Sequence, residues 1–433
     1  MNKIMARHTT FRGIRQLHTI ISKETITPSS PTSPNLKTHH LSLLDQFAPD
    51  MHTPVCFFFP NFKNGDAKNL KQSLSQSLTH YYPFAGRFPT PFSPFINCND
   101  EGVEFLEAFH DNPIHDFIHK NEQSETMDQL FPYGLSGTTR ASCPNLLDVQ
   151  LNHFNGGGAA LAVSVSHKLI DGNTISNFMN HWANVTRCQS PINPSFSSSP
   201  KSNSINLPKF ILEDSAKVNY ATNMFVFPNS KLNELKKKVI ATGKAPVNPS
   251  RVEVLTSLIF KHTVSANMAR NGDSSKLLLN LSSAMNMRNK FVDENYPETR
   301  VGNLFTLAIA NMGEYSGEMR LSDVISEVRK AKMEFNGVRD MQEAVEKMLN
   351  TFGTIQGKIF YSSSVCKLPF YEVDFGWGKP VEVLVRIPDV DDYSMMLLDT
   401  PSGDGIVANV HLPEEEMAVL KKDEEFITYL QDV

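Results

Sequence analysis

Cysteine is scarce in this chain. Five residues, Cys56, Cys98, Cys143, Cys188 and Cys366, are scattered and never spaced C-x-x-C. Such usage fits neither a disulfide framework nor a thiolate zinc site, and it suits a reducing compartment. Long apolar runs are also missing. The longest, such as Val55–Phe59 and Ala159–Val165, fall far short of the roughly 20 residues that a membrane-spanning helix needs. Positive charge is not in excess: 41 Lys and Arg against 46 Asp and Glu give a formal net charge of −5. The chain therefore carries no electrostatic footprint for nucleic acid. No Ser or Cys occupies a G-x-S-x-G elbow, no glycine loop has phosphate-cradling spacing, and no metal-ligand cluster is visible. Neither a metal nor a permanently bound cofactor is expected.

The 433 residues suffice for about two or three domains with a cleft between them. Strand-like and helix-like segments alternate after Pro28-Ser29-Ser30-Pro31, which predicts an α/β or α+β architecture rather than an all-helical or all-β one. Val55–Phe59 reads as a buried strand. Leu70, Leu74 and Leu78 recur at helical spacing until Tyr82-Pro83 stops the helix. Ser250-Arg251-Val252-Glu253 has capping-box spacing at the start of another helix. Val381–Ile387, Ser394–Leu398 and Ile406–Leu412 read as strands, the last two joined by the turn Ser402-Gly403-Asp404-Gly405. Pro413 with three glutamates opens a further helix, whose last turn is expected to carry Lys421 and Lys422.

Four parts follow: a basic N-terminal tail (1–22), an N-terminal domain (23–189), a Ser/Pro/Asn-rich linker (190–208) and a C-terminal domain (209–433). The tail carries Lys3, Arg7, Arg12 and Arg15 with no acidic residue. It has the composition of a transit peptide and also of an ordinary unstructured basic tail. The second reading is the one expected and places the protein in the cytoplasm; the alternative, a transit peptide, places it in an organelle.

The stretch from Leu161 to Gly172 carries the chemistry. Leu161–Ser166 alternates as a half-buried strand, and Ile175, Phe178, Met179 and Trp182 follow at helical spacing, so His167 should stand where a strand leaves the sheet for a helix. An imidazole there can take a hydroxyl proton at neutral pH and return it to a leaving group. Asp171, four residues on, can hold the imidazole in place or close the turn before Gly172.

His167-Lys168-Leu169-Ile170-Asp171 together with Asp374-Phe375-Gly376-Trp377-Gly378 resembles the two signatures of the BAHD acyltransferases, H-x-x-x-D and D-F-G-W-G. Leu41-Ser42-Leu43-Leu44-Asp45-Gln46 and Tyr82-Pro83-Phe84-Ala85-Gly86-Arg87 are similar to further blocks of that family, and the likeness extends from about Ile20 onward. Its details point to the vinorine synthase-like branch of alkaloid and terpenoid O-acetyltransferases. The resemblance implies two chloramphenicol-acetyltransferase-like domains joined by a crossover linker. In that arrangement acyl-CoA and an alcohol acceptor enter a channel between the domains and meet at His167. Acetyl-CoA is the implied donor and a monomer the expected state. By the same resemblance Arg288 pairs with Asp171, and Gly302-Asn303 forms a block near the centre of the molecule. Asp374 is read as a structural aspartate within a constrained loop, with proton acceptance as the open alternative.

Three departures stand out. The family C-G-G before the catalytic strand is Asn155-Gly156-Gly157-Gly158, and the alanine before the motif aspartate is Ile170. Both are expected to alter packing near the site. The family T-S-W triplet is Ser363-Ser364-Val365, so an indole is missing. Ser363 retains a hydroxyl for an oxyanion, and the acceptor pocket should be wider and more aliphatic. The alternatives to an acyltransferase are a family member without turnover, serving as an accessory or binding protein, and a peptide-condensing domain, whose H-H pair is Ser166-His167 here.

Overall fold

The computed structural model describes residues 18–63, 65–90, 93–118, 125–132, 144–196, 218–242, 248–271, 279–313, 319–385 and 392–431. Most of the basic tail, Cys143 and the linker from residue 197 lie outside the described residues. The first half runs β1 (His18–Ile26), β2 (Thr38–His40), α1 (Leu43–Phe47), β3 (His52–Phe59), α2 (Asp66–His80), β4 (Phe95–Asn97), β5 (Val103–His110), α3 (Glu125–Asp128), β6 (Leu147–Phe154), β7 (Ala159–Ser166) and α4 (Gly172–Thr186). The second runs β8 (Tyr220–Pro228), α5 (Asn229–Ala241), α6 (Arg251–Asn271), β9 (Leu279–Asn286), β10 (Phe305–Ala310), α7 (Leu321–Met333), α8 (Met341–Thr354), β11 (Lys358–Ser364), β12 (Glu382–Val385), β13 (Ser394–Asp399), β14 (Gly405–Pro413), α9 (Glu414–Leu420) and α10 (Glu424–Thr428).

Two mixed six-stranded sheets result, in the orders β1-β5-β6-β7-β3-β12 and β10-β9-β11-β13-β14-β8, beside a small β2-β4 pair. Local chemistry explains many of the boundaries. Leu70, Leu74 and Leu78 line the buried stripe of α2, and Pro83 begins a separate short turn once that helix has ended. Ser250 and Glu253 close a reciprocal box at the start of α6: the Glu253 N–H donates to Ser250 Oγ at 3.1 Å, and the Ser250 N–H donates to Glu253 Oε2 at 2.7 Å. β13 and β14 pair as the expected antiparallel hairpin. The last turn of α9 does not carry the two lysines as expected, for that helix ends at Leu420 and Lys421 caps it.

Two further features differ from the sequence reading. β7 is buried along its whole length rather than half-buried. Leu161, Val163 and Val165 enter one core with Phe178 and Trp182, while Ala160 and Ala162 meet Cys56, Phe58 and Phe131 on the opposite face. Its alternation separates large from small side chains, because both faces of the sheet are covered. Moreover, β12 lies in the first sheet, antiparallel to β3, with Glu382 opposite Phe58. A division of the chain at the linker thus does not coincide with the sheets, since the 209–433 segment returns one strand to its predecessor.

The loop before β12 is held by aromatic packing. Phe375 and Trp377 stack at 5.2 Å, and Trp377 meets Phe62 and Phe59 edge-on at 4.8 and 5.3 Å. Phe375 reaches Trp182 at 5.2 Å, which places both tryptophans of the chain in one cluster. Gly376 and Gly378 stand at φ +102° and +87°, a region that favours glycine. Removal of the Trp377 side chain leaves a cavity beneath this loop. Trp377→Ala is expected to cost about 3–5 kcal/mol, measurable as a lowered midpoint in denaturant unfolding.

Candidate active site

At its end β7 still pairs with the strand beside it, for the His167 N–H donates to the Met51 carbonyl at 2.8 Å. The chain then turns: the Leu169 N–H returns to the Ser166 carbonyl at 2.9 Å. Asp171 caps α4 by accepting the Thr174 N–H at 2.9 Å. The intervening Lys168 pins this turn to the end of α1 through the Gln46 carbonyl at 2.8 Å and the Ala48 carbonyl. His167 is thus presented by a strand end tied down at Met51, Lys168 and Leu169.

Asp171 makes no hydrogen bond to the imidazole. Its carboxylate receives Arg288 in a two-pronged ion pair, Nη1 to Oδ2 at 2.6 Å and Nη2 to Oδ1 at 3.1 Å, and also accepts the Leu304 N–H at 3.0 Å. Both side chains are buried. Nη2 of Arg288 reaches further, to Thr174 Oγ1 at 3.2 Å and to the carbonyls of Arg300 and Gly302 at 2.9 and 3.1 Å. Of the two roles open to Asp171, the geometry is that of closing the turn.

Asn303 comes directly beside the histidine. Its Nδ2 donates to the His167 carbonyl at 2.7 Å and to Asp45 Oδ1 at 3.0 Å, while its backbone N–H donates to the same Asp45 oxygen at 2.6 Å. Gly302 makes this approach possible: at φ +113° a Cβ there would stand 2.9 Å from Asp45 Oδ1. The role of Asp45 at the site was not anticipated. Its S-x-x-D spacing from Ser42 signals a helix start, and it does form a capping box on α1. Nothing local reveals its bonds to Asn303.

A cavity of about 300 Å³ opens at this point and is lined by His167, Phe305, Ser363, Val365 and Met396 among others. Ser363 therefore faces the same space as His167. Val365, at the position of the missing indole, forms part of an aliphatic wall with Ile170 and Leu368. That wall presses on Gly172, where an added Cβ would meet Val365 at 2.9 Å. Burial pushes the imidazole of His167 below its ordinary pKa, against smaller opposing pulls from its own carbonyl, the Asp171 charge and the Asn303 side chain. It is held neutral, the state in which a histidine accepts a proton.

The other motif residues sit elsewhere. Asp374 lines no part of this cavity. Its Oδ1 accepts the N–H groups of Gly376 and Gly378 at 2.7 and 3.0 Å, and Oδ2 lies 3.6 Å from Arg187 Nη1. Asn155-Gly156-Gly157-Gly158 forms the tight β6–β7 turn, with the three glycines at φ +86°, +105° and +83°. It lies at the opposite end of β7 from His167, so the expectation that it alters packing near the site is corrected. Among the described residues no group of three His, Cys, Asp or Glu could hold a metal, and no helix is long and apolar enough to cross a membrane.

The sequence model of the transferase family matches residues 18–427. Stemmadenine O-acetyltransferase of Catharanthus roseus is 32% identical, with 93% of this chain and 96% of that protein covered. The crystal structure of vinorine synthase superposes with a TM-score of 0.82 at 28% identity, covering 96% and 98% of the two chains. TRI101 of F. sporotrichioides, solved with coenzyme A and T-2, shares the fold with a TM-score of 0.69 at 17% identity, covering 91% and 99%.

Asp374→Ala removes the acceptor for two loop N–H groups and is expected to cost about 1 kcal/mol or more, seen as a lower melting temperature. Any loss of turnover should track the loss of folded protein. An unchanged melting temperature with turnover abolished would assign Asp374 to proton transfer instead.

Proposed function

The chain belongs to the BAHD branch of the transferase family, and on that premise we propose that it is an acyl-CoA-dependent O-acyltransferase acting on a hydroxyl of an alkaloid or terpenoid, with acetyl-CoA as donor. The observation that carries this reading is the strand-end His167 on the wall of a cavity lined mainly by aliphatic and aromatic side chains. Coenzyme A in structures of the same fold supports a thioester donor. The acetyltransferase activity named for a relative supports the acyl group and an alkaloid-type acceptor.

In the proposed reaction His167 removes the proton of the acceptor hydroxyl as its oxygen attacks the thioester carbonyl. The tetrahedral oxyanion, with the Ser363 hydroxyl facing the same cavity, collapses to the ester. His167 then delivers the proton to the departing thiolate. No covalent enzyme intermediate is needed, since one base serves both steps. Asp171 and Arg288 hold the base in place without exchanging protons.

His167→Ala should lower kcat/KM by roughly 10²–10⁴-fold while the fold and donor binding persist. Wild-type turnover in a folded variant would refute the base. The pH dependence has a defined sign: burial lowers the His167 pKa, so the acid limb of kcat/KM should fall below the ordinary value of about 6.5, with activity lost as the pH drops through that midpoint. Val365→Trp fills the aliphatic wall. It should lower kcat/KM for a polycyclic alcohol by about tenfold or more relative to a small one, read by product mass across an acceptor panel. Equal losses for large and small acceptors would remove Val365 from the acceptor pocket.

A further inference from the structure

Two buried polar atoms at the site have no hydrogen-bond partner: Nδ1 of His167 and Oδ1 of Asn303. They belong to groups already in contact, because the Asn303 amide donates to the His167 carbonyl at 2.7 Å. The orientation of that amide is fixed. Its Nδ2 faces a backbone carbonyl and a carboxylate oxygen, both pure acceptors. A flipped amide would set its own oxygen against the two of them. Asp45 is fixed in turn: its Oδ2 accepts the N–H and the hydroxyl of Ser42 at 2.9 and 2.6 Å, and the residue is 1% exposed.

We infer that Asp45 and Asn303 are positioning residues that set the tautomer of His167. Asp45 locks the Asn303 amide with its oxygen toward the imidazole, and that oxygen accepts the Nδ1 proton and leaves Nε2 as the free base. The inference rests on the reading of His167 as the base. A neutral imidazole carries one proton, and the partner of one ring nitrogen decides which nitrogen keeps its lone pair. Asp171 cannot serve as that partner, since both its oxygens are taken by Arg288 and backbone or cap donors, and the carbonyl of His167 itself, which also pulls on the ring, already accepts the Asn303 Nδ2.

A neutral amide in this place has a chemical consequence. During acyl transfer the acceptor proton moves to Nε2 while the Nδ1 proton stays where it is, and Nε2–H then passes to the thiolate sulfur. An amide oxygen stabilises the intermediate imidazolium less than a carboxylate does, so the proton is readily released again. The charged and titratable groups around the relay are His39 and Arg300 beside Asp45, and Asp171 and Lys168 beside His167. His39 is held down to about 4 by burial and is neutral at neutral pH.

Histidine-ring nitrogen NMR on the whole protein tests this, with the His167 signal assigned by its absence in His167→Gln. The wild type should show Nδ1–H at His167, and Asn303→Ala should admit the Nε2–H form. In the same variant kcat should fall about 10–100-fold, within the general-base range, with both KM values within about twofold. The acid limb of kcat/KM should move to lower pH, because a group favouring the imidazolium is lost. Asp45→Asn should act in the same direction, and the double variant should be no slower than Asn303→Ala alone. Where Asp45→Asn yields no folded protein, Asn303→Ala still decides the matter. An unchanged tautomer and pH profile in Asn303→Ala, with His167→Gln inactive, overturns this inference alone. Full turnover by His167→Gln instead sinks the underlying reading of the base.

Discussion

One buried cation organises the centre of this molecule. The guanidinium of Arg288 closes the turn after His167 through Asp171, and it also gathers the carbonyls of Arg300 and Gly302, which shape the loop that presents Asn303. His167 and the Asn303 amide beside it come from opposite halves of the chain, and their common reference point is this single side chain. Such a pair gains little over an apolar substitute, because both charges had to leave water. Removing one partner alone, however, strands the other and costs about 3–5 kcal/mol. The pair is better understood as specifying an arrangement than as a store of stability.

Both motif aspartates close a turn in the structure. Asp171 caps α4 and receives Arg288, and Asp374 gathers two glycine N–H groups within its own loop. In each case a carboxylate satisfies backbone donors that a sharp reversal leaves without partners. Phe375 and Trp377, on either side of Gly376, then carry the packing. Lys168, Leu169 and residues 374–378 line no part of the cavity, so most of the two patterns serve the fold around it.

Sequence reading reached what short-range physics controls. The strand end at His167, the capping box of Ser250 and Glu253, the β13–β14 hairpin and the turn-closing geometry of Asp374 each depend on residues within a few positions of one another. What escaped it depends on distant segments. Asp45 meets Asn303 only after both sheets have assembled, and the burial of β7 on its second face depends on residues such as Phe131 and Leu384. The Asn155–Gly158 departure was legible as a glycine turn, but its distance from the site is set by strand length and direction. The Arg288–Asp171 pair came from family resemblance, since no spacing rule joins residues so far apart in the chain.

The return of β12 to the first sheet bears on how the chain can be made. Until residues 382–385 leave the ribosome, β3 is an open edge carrying Cys56, Phe57 and Phe58 with no strand on its outer side. Such an edge is an invitation to pair with another chain. The first sheet cannot complete itself while its own half is being synthesised, and its last strand is among the most non-local contacts in the fold, a kind that forms slowly. The interval between emergence of β3 and arrival of β12 spans most of translation. During that time the apolar edge of β3 is without the strand that covers it in the finished fold, the kind of exposed edge that favours aggregation.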